Sequence, residues 1–86
     1  MRFEVVWLPG AEGELTELWL NATDRDRVAQ AAQRIDERLE RNANIEGESR
    51  PDGRRVLFAT PLGVIFRVWP DQRRVFVNHV WRFRTR

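Results

Sequence analysis

The chain has 86 residues, enough for one hydrophobic core, so residues 1–86 are expected to form a single domain. With no cysteine there is no disulfide framework and no thiolate metal site, and neither a metal nor a cofactor is expected. The net charge is a modest +2, no run of 18 apolar residues could span a membrane, and the opening lacks the long apolar region of a signal peptide; a reducing cytoplasm is the expected compartment.

In chain order, "RFEVVWL" alternates Phe3, Val5 and Trp7 with Arg2, Glu4 and Val6, and its β-branched and aromatic content predicts a strand ended by Pro9 and Gly10. "GAEGELTELWLNA" then spaces Ala11, Leu15, Leu18 and Trp19 along one helical face and leaves Glu12, Glu14 and Glu17 for solvent. A second helix follows, with Thr23 as N-cap, Asp26 completing a capping box, and Val28, Ala31, Ala32, Ile35 and Leu39 as its stripe. Asn21 and Ala22 alone separate the two stripes from that cap, which predicts an antiparallel helical hairpin. "NIEGESRPDG" has no periodicity and reads as a loop. Three strands follow, "RRVLFAT", "VIFRVW" and "RRVFVNHVWRF", with turns short enough for an antiparallel meander.

The element order βααβββ predicts an α+β fold in which the helical hairpin covers one face of an antiparallel sheet and the other face looks outward. Strict alternation along the last strand assigns Val75, Val77, His79, Trp81 and Phe83 to the core, and Arg74, Phe76, Asn78, Val80, Arg82 and Arg84 to the outward face. Val64, Phe66 and Val68 join the core, leaving Ile65, Arg67 and Trp69 outside. The parity of the preceding strand stays open, because both of its faces are about equally apolar.

The basic residues are all arginine and are segregated. Residues 1–49 hold six arginines and eleven acids, a balance of −5; residues 50–86 hold nine arginines and two acids, a balance of +7. Such asymmetry points to a polyanionic partner, and the planar guanidinium fork suits phosphate. Arg67, Arg74 and Arg82, with Trp69 and Phe76 among them, therefore read as an RNA-binding surface on which the rings stack against unpaired bases. An ordinary solvated outer face is the competing reading.

The element order, the opening "FEVVWLPGAEGELTELW" and the hairpin "GVIFRVWPDQRRVFVNHVWRF" resemble the RelE/ParE superfamily of toxins from type II toxin–antitoxin modules over nearly the whole chain. The resemblance implies a cognate antitoxin as partner, and an acidic antitoxin segment lying across the arginine face. It implies one of two targets: messenger RNA in the ribosomal A site, cut by the RelE-like branch, or DNA gyrase, poisoned without catalysis by the ParE-like branch. A degenerate toxin that only binds its antitoxin is a third outcome. In the ribonuclease branch an arginine early in the third strand contacts the scissile phosphate; the matching place here is Gly63. Arg54 and Arg84 match basic positions of the family on the second strand and after the last one. The chain has no tyrosine to match the terminal tyrosine or histidine that many members use in proton transfer.

Cleavage through the RNA 2′-hydroxyl needs a proton acceptor, a donor to the leaving oxygen and cations for the phosphorane charge. Arginine supplies only the last, since it stays protonated. The candidates for proton transfer are His79, Glu46 and Glu48; His79 is assigned to the core, and the two glutamates stand in a loop where some ribonuclease-branch members carry a glutamate base. The catalytic set expected under the ribonuclease reading is thus Arg54, Arg84, Glu46 and Glu48.

Overall fold

The computed structural model of the chain describes residues 2–84; Met1, and Thr85 and Arg86 of the tail "RFRTR", lie outside the described residues. The opening segment forms strand β1 (Glu4–Trp7), with Phe3, Val5 and Trp7 packed against the core. Pro9, expected to end that strand, also starts helix α1 (Pro9–Leu20), because proline's fixed φ and missing N–H are harmless in a first turn. Ala11 of α1 is buried, Leu15 and Leu18 are partly so, and Trp19 sits at the surface under the guanidinium of Arg25, 4.5 Å from the ring centre.

Helix α2 (Arg25–Asn42) buries Val28, Ala31, Ile35 and Leu39 as one stripe, as the spacing predicts. Its N-cap is Asp24, not Thr23, and the capping box does not form. The Asp24 carboxylate instead turns onto Arg82, so a long-range ion pair takes the place of a local cap.

The segment expected as a loop contains a short strand, β2 (Glu48–Ser49), paired antiparallel with β3 (Arg55–Ala59). Gly47 makes this possible. Its φ is +77°, and a Cβ there would stand 2.7 Å from the Val56 carbonyl oxygen and 3.1 Å from the Phe66 ring. Strands β4 (Leu62–Trp69) and β5 (Arg74–Arg82) complete the predicted meander. Among the described residues the sheet thus has five strands in the order β1-β5-β4-β3-β2, not four. It is not wholly antiparallel either: β1 lies parallel to β5, because the α1–α2 hairpin carries the chain away before it returns through the meander.

The core lies between the sheet and the hairpin. Phe66, Ile35, Leu39, Leu62, Val28, Val64, Val75 and Val77 are its fully buried large side chains, each contributing about 1.5–3 kcal/mol relative to exposure. No helix among the described residues is long and apolar enough to cross a membrane.

Candidate functional site

The sheet face opposite the helices is ordered by strand register. Leu57, Val64 and Val80 stand side by side on β3, β4 and β5, and all are buried in the core. The neighbouring row must therefore point the other way, and it holds Phe58, Gly63 and Trp81. One row further along β4 the uncovered face shows Val56, Ile65 and His79, with Glu48 beyond Val56 on β2. Then come Arg67 and Phe76, with Val6 on β1, and at the far end Trp69, Arg74 and Glu4. This settles the open parity of β3: Arg55, Leu57 and Ala59 face the helices, while Val56 and Phe58 face outward.

A β-bulge separates this register from strict alternation. Ile65 pairs with His79 and Phe66 with Val77, so Asn78 is an extra residue with no partner on β4. Every side chain of β5 after the bulge changes face relative to the expectation. Val80, assigned to the surface, is buried; His79, Trp81 and Phe83, assigned to the core, face outward or lie at its rim. Arg82, expected among the RNA-binding residues, lies on the helix side, where its two terminal nitrogens donate to the Asp24 oxygens at 2.8 and 2.7 Å. That bidentate pair holds the Asp24 carboxyl below its ordinary value of 3.8 and raises Arg82 in turn.

The aromatic row is tightly made. The Trp81 indole lies on Gly63 so closely that a Cβ would come within 2.6 Å of it. Phe58 meets Trp81 edge to face at 5.9 Å between ring centres, and meets Phe83 likewise at 5.2 Å. Phe58 is nevertheless 48% exposed, so the cluster is a surface feature. Gly63, where the sequence resemblance would have placed a phosphate-contacting arginine, is thus roofed by an indole.

The arginine rows differ in how free they are. Arg67 has no carboxylate partner among the described residues, and its guanidinium reaches toward the 50–54 turn, with Nη1 3.8 Å from where a Cβ on Gly53 would stand. Arg54 immediately precedes β3, beside a groove lined by Arg50, Pro51, Asp52, Val56 and Ile65. Its Nε donates to Asp52 at 2.6 Å; partial burial works against that carboxylate, but the backbone N–H and charge of Arg54 prevail and hold it below its ordinary value. Arg74 pairs with Glu4 across the parallel strands at 3.1 Å, beside the half-exposed Trp69. Arg84 is exposed just beyond β5.

The proposed proton-transfer groups do not converge. Glu46 lies on the helix side, where Nε and Nη2 of Arg38 donate to one of its oxygens at 3.0 and 2.6 Å. Glu48 is on the uncovered side at the sheet edge, with its side chain 77% exposed and only a long contact to Arg50 at 3.4 Å. His79, by contrast, is in the row between the arginines and the aromatics, facing Glu14 of α1. The sequence held one hint of this: a polar Asn-His pair inside an apolar strand, which favours an irregularity over continued alternation. Among the described residues no three His, Cys, Asp or Glu side chains are grouped to hold a metal.

No family model and no curated protein sequence matches the chain. Solved structures do. The toxin–antitoxin complex RelBE2 from Mycobacterium tuberculosis contains a chain that superposes with a TM-score of 0.79 at 16% identity, over 96% of this chain and 100% of that one. The chromosomal ParDE toxin–antitoxin system of P. aeruginosa contains another, with a TM-score of 0.68 at 20% identity, over 96% and 98% of the two chains. The α1–α2 hairpin on a five-stranded, mostly antiparallel sheet is therefore the fold of the matching chains in these two toxin–antitoxin complexes, shared by this chain along nearly its whole length.

Proposed function

We propose that the protein is the toxin of a type II toxin–antitoxin pair and that it acts as a ribosome-dependent endonuclease on messenger RNA. The observation that carries this reading is the division of the uncovered sheet face into an arginine region, Arg54, Arg67 and Arg74, and an aromatic row, Phe58, Trp81 and Phe83. Single-stranded RNA asks for both, since its phosphates pair with guanidinium groups and its unstacked bases pack on rings. Trp69 and Phe76 extend the apolar surface between the arginines, and Arg84 adds a cation beyond the aromatic end. The guanidinium groups would balance the charge that grows on the phosphorane. Both structural neighbours come from toxin–antitoxin complexes, which supports an antitoxin as the second partner.

The Trp81 indole over Gly63 favours a second reading, inhibition of a protein target such as DNA gyrase. Aromatic rings of this kind are the usual anchors of protein interfaces. Expression without antitoxin separates the two. The endonuclease reading expects arrested growth with codon-registered cuts in translated messages, and Arg84→Ala that folds but is no longer toxic. Intact messages accompanied by double-strand DNA breaks would replace it with the gyrase reading.

A further inference from the structure

His79 and Glu14 are 65 residues apart in sequence and meet where β1 has ended and α1 runs along the open edge of β5. Both Glu14 oxygens lie 3.3 Å from His79 Nδ1, and one of them also accepts the backbone N–H of Val80 at 3.3 Å. That second contact gives Glu14 a fixed place in the edge of the sheet, unlike the solvated glutamates around it. A carboxylate only accepts, so the hydrogen between the two groups is assigned to Nδ1, and in the neutral ring the lone pair then falls on Nε2. The ring is turned outward, with 59% of the side chain exposed.

Three further observations bear on what such a histidine does. It is the residue that the Asn78 bulge re-aims, and the bulge leaves Asn78 Oδ1 buried without a hydrogen-bond partner. An orphaned amide oxygen costs about 1–3 kcal/mol, which a strand serving only the core would avoid. His79 also pairs with Ile65, so it stands between Gly63 under the Trp81 indole and Arg67, each roughly 7 Å away along β4. A nucleotide with its base on the Trp81 and Phe58 rings and its phosphate drawn toward Arg67 would lay its ribose across the His79 row.

We propose that His79 is the proton acceptor of this surface and that Glu14 is its positioning residue, an assignment that rests on the endonuclease reading above. In the step it would perform, Nε2 takes the proton of the ribose 2′-hydroxyl as O2′ forms a bond to phosphorus. The bond from phosphorus to the 5′-oxygen breaks, and that oxygen leaves with a proton from the imidazolium or from water. The products are a 2′,3′-cyclic phosphate and a 5′-hydroxyl, and Arg67 and Arg54 compensate the charge on the phosphoryl oxygens.

The test is single-turnover cleavage of a message programmed on ribosomes by the purified protein, with the cut ends mapped and their chemistry determined. His79→Ala should cut about 10²–10⁴-fold more slowly with unchanged melting temperature and RNA affinity, and added imidazole should restore part of the rate. Glu14→Gln keeps an acceptor for the Val80 N–H but offers an amide N–H to Nδ1, which moves the imidazole hydrogen to Nε2. It should slow the step by about 10- to 100-fold, in the rate constant and not in binding. A His79→Ala protein that cuts as fast as the parent, or whose loss imidazole leaves untouched, overturns the assignment while leaving the endonuclease standing. A parent protein that makes no cut sinks both.

Discussion

On the helix side of the sheet, Arg38, Arg55 and Arg82 are all engaged: Arg38 by Glu46 and the Phe58 carbonyl, Arg55 by the carbonyls of Ala43, Asn44 and Glu46, Arg82 by Asp24. On the opposite face Arg67 has no carboxylate partner among the described residues, and Arg54 and Arg74 hold single, exposed ones. The same side chain thus closes the fold on one side of a sheet and leaves its charge at the surface on the other. Charge balance in the sequence cannot separate these uses. Position relative to the hairpin does.

Several substitutions would break that contrast, and the largest effect belongs to the core between the faces. Phe66→Ala should lose about 3–5 kcal/mol in denaturant unfolding, because a fully buried ring leaves a cavity under α2. Gly63→Ala should cost less, about 1–3 kcal/mol, since the new Cβ displaces the Trp81 indole. It should also alter tryptophan fluorescence and weaken RNA binding, which the core variant would not do selectively. Next comes the arginine pair that defines the comparison. Arg82→Ala should lower the melting temperature, and Arg67→Ala should leave it unchanged while lowering RNA affinity and its salt dependence. The opposite pattern would mean that Arg82 is the ligand-binding residue.

The smallest effects are in pH. Asp24 has a folded value below 3.8, set by Arg82, so its contribution is present above 3.8 and disappears as pH falls through the folded value. Asp36 runs the other way. Burial raises it, against the hydrogen bond donated by Trp7 Nε1 at 2.6 Å, so stability falls as pH rises from 3.8 through its folded value. Thermal melts of Asp24→Asn should show a flatter loss in acid than the parent, and Asp36→Asn should remove a component of opposite sign.

Much of this architecture was legible in sequence because the two helices and strands β1 and β4 carry clean periodicities, β-branched and aromatic runs mark β3 and β5, and the turns between them are short. The hairpin on one face of a sheet follows from these alone. What the sequence concealed was small in residues and large in consequence. Asn78 shifts the phase of β5 by one position, and with apolar residues at both Val77 and Val80 the polar Asn-His pair between them was the one sign of it that the pattern held. From that one residue came the wrong faces for His79, Trp81, Phe83, Val80 and Arg82. Likewise Thr23 was the better local cap, but a distant arginine claims its neighbour Asp24 and sets where α2 begins. The Glu14–His79 contact is likewise beyond reach of any local pattern, because it joins the first helix to the last strand.

Among the described residues strand β1 has a single partner in the sheet, and that partner is β5. Residues 4–7 are made early and residues 74–77 nearly last, so during synthesis the backbone of the first strand waits for its sheet partner until almost the entire chain has left the ribosome, although Trp7 can already meet Asp36 of α2. The Asp24–Arg82 pair imposes the same delay on the helical hairpin. The sheet that carries the arginine and aromatic rows is therefore complete only once the C-terminal segment has been added.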